Sequence, residues 1–163
     1  MNFFYWDASA LVKRYAPEIG TPLVNYLFSK VTADRMTCLT LAIGEVISVF
    51  VRKKNAGVIP EDAGLQAMID FRAEVIDSAD FKLTVLDDGL VFASLPLIQK
   101  YSINATDALV LCSSLDAAAL LRDVGNGLVF VASDLRLLQA AQAEGLTTFN
   151  PETDSQKQIE LLI

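Results

Sequence analysis

Five short apolar runs, each followed by a helix-like stretch, constrain this chain more than any other feature. FFYW (3–6), RMTCL (35–39), LTVL (83–86), GLVFVA (127–132) and LTTF (146–149) have the length and content of strands. Between them, SALVKRYA and the stretch after Pro17 read as helix to about Ser29. LAIGEVISVFVRKK reads as a helix stopped by NAG at 55–57, with basic residues at its carboxyl end. Pro60 opens a helix to about Asp77, with Ile69, Ala73 and Ile76 at helical spacing. Another follows Asp87 and Asp88, and Pro96 is expected to interrupt or kink it. Asn104 caps a helix over NATDALVLCSSLDAAALL, and DLRLLQAAQAEG is a helix with a glycine stop. Strands alternating with helices predict an α/β fold: a three-layer α/β/α arrangement with a mostly parallel sheet of 4–5 strands. The expected division is one domain over 1–150 and a tail over 151–163, where QIELLI is a short packing helix or frayed.

Parallel sheets bind ligands beyond the carboxyl ends of their strands. Asp7 follows FFYW directly, and Asp134 follows VFVAS. Either acid can simply cap the next helix, Ser133 being a rival cap to Asp134. Ser9 is close enough to Asp7 to add a hydroxyl. Asp107, three residues after Asn104, has the placement of a capping box. Glu45 is harder to explain locally, as the only charge in LTLAIGEVISVFV. A lone carboxylate on a largely buried helix needs a partner, a raised pKa or a cation. The proposed sheet sends all four acids toward one edge, where carboxylates repel unless cations neutralise them.

Composition narrows the chemistry. There is no histidine, which removes Ser-His-Asp and Cys-His nucleophile systems and leaves carboxylates, suited to hard cations. Net charge is −7, with seven Lys/Arg against four acids in residues 1–54 (+3) and six against sixteen thereafter (−10). This argues against a general nucleic-acid binder, but not against one using a bound cation and a local basic patch. Lys13, Arg14, Arg52, Lys53 and Lys54 are the candidates for such a patch, or an ordinary solvated face. Cys38 and Cys112 sit in apolar contexts, as reduced thiols would. No basic, apolar leader opens the chain and no run approaches about 18 apolar residues, so the expectation is a cytoplasmic protein without a membrane span.

Four segments together resemble the PIN domain family and, within it, the VapC-type toxins of toxin–antitoxin pairs. They are YWDASALVKRYAPEIGT, LTLAIGEVISVF, NATDALVLCSS and VFVASDLRLLQAAQAEGLTTFNP, in the family's order and over nearly the whole chain. The resemblance implies a PIN-like fold and a metal-dependent endoribonuclease using Mg²⁺ or Mn²⁺. It implies metal-site roles for Asp7, Glu45, Asp107 and Asp134, with Ser9 as a minor member; by position, Ser133 and Arg136 beside Asp134 are candidates for supporting residues, Arg136 equally for an ordinary surface residue. It also implies RNA as substrate, a homodimer, and a small antitoxin laid over a groove and blocking the site; the helices around 41–54 and 60–77 are the candidates for that groove, their apolar residues serving equally well as buried core. Two features depart from the family pattern: Val110 stands where many relatives have histidine, and the net charge is acidic. The alternative is a PIN-like binding module that does not cleave. Dehalogenase-type phosphatases and receiver domains fit less well, since Ser9 stands where the former need a second Asp and no Lys follows a late strand as in the latter.

Overall fold

The computed structural model describes residues 1–163. All five expected runs form strands: β1 (Asn2–Trp6), β2 (Met36–Leu39), β3 (Lys82–Thr84), β4 (Gly127–Val131) and β5 (Thr147–Phe149). They make one all-parallel sheet in the order β3-β2-β1-β4-β5. β3 ends earlier than expected, and Val85 is left exposed beyond it.

The helices are α1 (Ala8–Leu11), α2 (Thr21–Lys30), α3 (Leu41–Asn55), α4 (Glu61–Phe71), α5 (Asp88–Tyr101), α6 (Ala105–Asp123), α7 (Leu135–Ala143) and α8 (Gln156–Glu160). Two differ from expectation. The SALVKRYA helix tightens into a 3-10 turn over Val12–Arg14 and stops before Pro17, whose ring disfavours helical backbone in the residue before it. Pro96, by contrast, leaves α5 continuous. Both Pro96 and Phe92, whose carbonyl loses its partner, are exposed, so water can replace the missing bond. The helix expected to reach Asp77 does so by a π-helical turn over Arg72–Ile76.

Strand alternation divides the core. Phe4 and Trp6 of β1, Met36 and Cys38 of β2 and Val129 and Val131 of β4 face α1–α4 and α8. Tyr5, Leu39, Leu128 and Phe130 face α5, α6 and α7. The sheet is thus covered on both faces, as an all-parallel sheet requires. Residues 151–163 are part of this packing: Ser155 and Gln158 form a capping box on α8, Ile159 is fully buried, and Asn2 Nδ2 donates to the Leu162 carbonyl at 3.0 Å. Gly20, at φ +92°, presses against Pro151, where a Cβ would meet the backbone at 2.9 Å. No single helix is long and apolar enough to cross a membrane.

The strand order places a topological switch beside β1. The chain grows one way through β2 and β3, then returns to β1's other side with β4. Ligand sites in open α/β sheets lie at such a point, and Asp7 and Asp134 follow the two strands that flank it.

Candidate active site

Asp7 is both a helix cap and a cavity residue. Its backbone N–H pairs with the Val131 carbonyl at 2.9 Å, which carries the β1–β4 ladder one residue past the strand. Its Oδ2 accepts from the Ser9 amide at 2.9 Å and from the Ser9 hydroxyl. The Ser9 hydroxyl in turn accepts from the Ser133 amide at 2.9 Å. Ser9 therefore couples the ends of β1 and β4. Asp7 is only 7% exposed.

Asp134, not Ser133, caps α7: its Oδ1 accepts from the amides of Arg136 and Leu137 at 2.8 and 3.1 Å. The Ser133 hydroxyl is buried without a hydrogen-bond partner. Asp107 rides on the first turn of α6, where Asn104 accepts its amide at 2.8 Å. Only this half of the expected capping box forms, so the Asp107 carboxylate is not tied to the Asn104 amide. Glu45 projects from the second turn of α3, and its Oε2 is buried with no partner.

These four acids line one cavity of about 480 Å³, together with Ala8, Ser9, Leu41, Gly44, Ser48, Val49 and Arg52. Ser133 and Arg136 do not line it; Arg136 is exposed on the first turn of α7. The α3 contribution has a plain signal, since Leu41, Gly44, Glu45, Ser48, Val49 and Arg52 recur every three or four residues on one helix face. The sequence reading reached Glu45 by its isolation and missed Gly44 and Ser48, which carry no charge.

The electrostatics are those of an uncompensated acidic site. Burial raises the Asp7 carboxyl above its ordinary range, against the Ser9 hydrogen bonds, and the Asp134 charge adds to the rise. Burial, then the charges of Asp7 and Asp107, push Glu45 up to about 7. Asp107 rises to about 6 through burial and the charges of Asp134 and Asp7. Asp7, Glu45 and Asp107 are thus each raised by a carboxylate remote in sequence, and no cation forms an ion pair with any of the four acids.

An all-oxygen donor set, a buried Oε2 without a partner and carboxyls raised by burial and neighbouring acids fit a hard divalent cation. The acids stand around the cavity without closing into a ready ligand cluster. A cation held here would therefore take at most two of the carboxylates directly and meet the others through its own waters, a coordination open to Mg²⁺.

Four of the five basic residues considered for nucleic-acid contact are otherwise engaged. Lys13 is 2% exposed and paired with Glu18 at 2.7 Å and with Glu152. Lys53 also pairs with Glu18, and Lys54 with Glu61 at 3.3 Å. Arg14 forks onto Glu74 and lies over the Phe28 ring.

No protein-family model matches this chain, and no curated protein sequence matches it. Solved structures do. PAE2754 from Pyrobaculum aerophilum is 19% identical, with 94% of each chain covered and a TM-score of 0.59. A structure of FitAB bound to the IR36 DNA fragment is 13% identical, covering 94% of this chain and 99% of that one, with a TM-score of 0.58. At these identities the likeness is one of fold: a three-layer α/β/α, PIN-like architecture with an all-parallel five-stranded sheet.

Proposed function

We propose that this protein is a Mg²⁺- or Mn²⁺-dependent endoribonuclease and the toxin of a toxin–antitoxin pair. The observation that carries the reading is the meeting of Asp7, Glu45, Asp107 and Asp134, spread over most of the chain, around one cavity at the carboxyl edge of the sheet. Structural ion-pair schemes do not account for them, because the cavity offers four carboxylates and no paired cation. The PIN-like fold and the four sequence segments support the same reading.

Asp7, Asp107 and Asp134 would hold the cation directly or through its bound water, with Ser9 fixing the Asp7 carboxylate in place. A bound divalent ion supplies Lewis-acid polarisation of the phosphodiester and neutralises charge on the attacking and leaving oxygens. Glu45 orients the attacking water and accepts its proton, a duty that falls to a carboxylate in a chain without histidine. The helix-capping hydrogen bonds accepted by Asp7 and Asp134 hold their carboxylates in place, while Asp107 is fixed through its backbone on the first turn of α6.

The proposed antitoxin seats on the groove between α3 and α4, lined by Phe50, Val51, Leu65 and Met68. The proposed homodimer uses the apolar surface of α5 and α6, where Phe92, Leu95 and Leu120 are exposed. A complex-forming neighbour such as FitAB on DNA is in keeping with such partners.

One observation favours a second reading. The acids do not close into a ready ligand cluster, as in an interaction module of the same fold that no longer cuts. Cleavage of single-stranded RNA, with and without Mg²⁺ or Mn²⁺, separates the two. The nuclease reading expects metal-dependent cutting that Asp7→Asn reduces by more than the roughly 10–100-fold typical of a lost outer-shell partner. Intact RNA in every condition would leave the interaction module.

A further inference from the structure

We infer that Arg52 positions the substrate, meeting a backbone phosphate within a few nucleotides of the bond that is cut; this rests on the ribonuclease reading. Among the five basic residues near the site, Arg52 alone lines the cavity, makes no ion pair and is exposed. Its neighbours Lys53 and Lys54 are held by Glu18 and Glu61. A cation that shares a cavity with four carboxylates and pairs with none is free for an incoming anion.

The geometry of α3 sets where that anion lies. Glu45 and Arg52 are seven residues apart on one face, about 10 Å along the helix. The wall between them is cut low by Gly44 and Ser48. A Cβ at Gly44 would meet nothing within 4 Å, and the Ser48 hydroxyl turns back to the Gly44 carbonyl at 2.7 Å. A single strand can therefore lie along α3 with one phosphate at the acids and another at the guanidinium, whose fork suits phosphate oxygens. Helix-dipole stabilisation does not require Arg52, because Lys53 and Lys54 occupy the same last turn.

The test uses the full chain and a short single-stranded RNA oligonucleotide. Arg52→Ala should raise KM about three- to tenfold, with a smaller fall in kcat, and flatten the slope of log affinity against log salt by about 0.7, one phosphate contact on a single strand. Fluorescence anisotropy in the non-cutting Asp7→Asn background should show the same weakening of RNA binding, and Arg52→Lys should recover part of it. The loss on the oligonucleotide should exceed the loss on bis(p-nitrophenyl) phosphate, which has no neighbouring phosphate. Thermal melting of Arg52→Ala at the wild-type temperature is expected. An unchanged KM and salt slope, or a loss confined to kcat, in a protein that does cut RNA would overturn the role of Arg52 and leave the ribonuclease reading standing. A wild-type protein that neither binds nor cuts RNA overturns both.

Discussion

Two groups of charged side chains sit side by side in this molecule and are treated in opposite ways. Lys13, Glu18, Lys53 and Glu152 join the first turns of the chain, the end of α3 and the C-terminal segment into an alternating network. Asp7, Glu45, Asp107 and Asp134 gather four carboxylates with no ion pair among them, Arg52 standing unpaired in the same cavity. In the first group the two lysines hold the Glu18 carboxyl below its ordinary range, although burial opposes them. In the second, burial and like charge push Asp7, Glu45 and Asp107 up. The first set is paired within itself and acts on the fold; the second has no paired cation, with Arg52 in the same cavity left unpaired, and acts on whatever ions enter it.

The largest expected difference is in stability on losing one member. Lys13→Met removes the cation buried between Glu18 and Glu152 and should cost about 3 kcal/mol in urea unfolding, as breaking a buried pair does. Asp7→Asn should instead raise the melting temperature of the metal-free protein. Asparagine caps a helix as well as aspartate and keeps an acceptor for Ser9, while the repelled charge is gone. Equal melting of Lys13→Met and wild type, or a destabilised Asp7→Asn, would erase the contrast.

The same contrast explains what the sequence made legible. Helix and strand periods, Asn104 as a cap and the isolation of Glu45 are local signals, and the structure bears out the elements and brings the four acids together. Lys13 misled because its partners, Glu18 and Glu152, are five and 139 residues away; nothing local separates a buried lysine from a solvated one. Ser133 misled because either it or Asp134 satisfies the capping rule, and only the depth of the loop decides. Arg52 was one of five basic residues until its neighbours' partners became visible. Gly44 and Ser48 were silent, since a missing or small side chain carries chemistry only once the opposite wall is known.

A smaller effect tests the two groups by pH. Glu45 and Asp107, raised to about 7 and about 6, bind more protons folded than unfolded, so their contribution declines as pH rises from the ordinary carboxylate range through those values. Glu18 is lowered, so its contribution is present above its ordinary value and declines as pH falls below it. The metal-free protein should therefore melt at a higher temperature near pH 5 than near pH 7.5. Mg²⁺ or Mn²⁺ should raise melting at the higher pH more than at the lower, with protons released on binding. A melting temperature that climbs steadily to pH 7.5 without metal would mean that the acidic group is not under repulsion.

The smallest expected effect concerns room rather than charge. Gly44 lies in the interior of α3, where alanine is favoured by about 0.5–1 kcal/mol, and an added Cβ there meets no neighbour within 4 Å. Gly44→Ala should therefore raise the urea midpoint by that small amount. The methyl group points into the cavity beside Glu45, so RNA cleavage should fall even as the fold gains stability. The paired network offers no such exchange: its glycine, Gly20, is at positive φ and hard against Pro151, and Gly20→Ala should destabilise. Opposite signs at the two glycines would place the open space beside the unpaired carboxylates; a Gly44→Ala protein with both wild-type stability and full cleavage would remove the argument that α3 keeps that space for a strand.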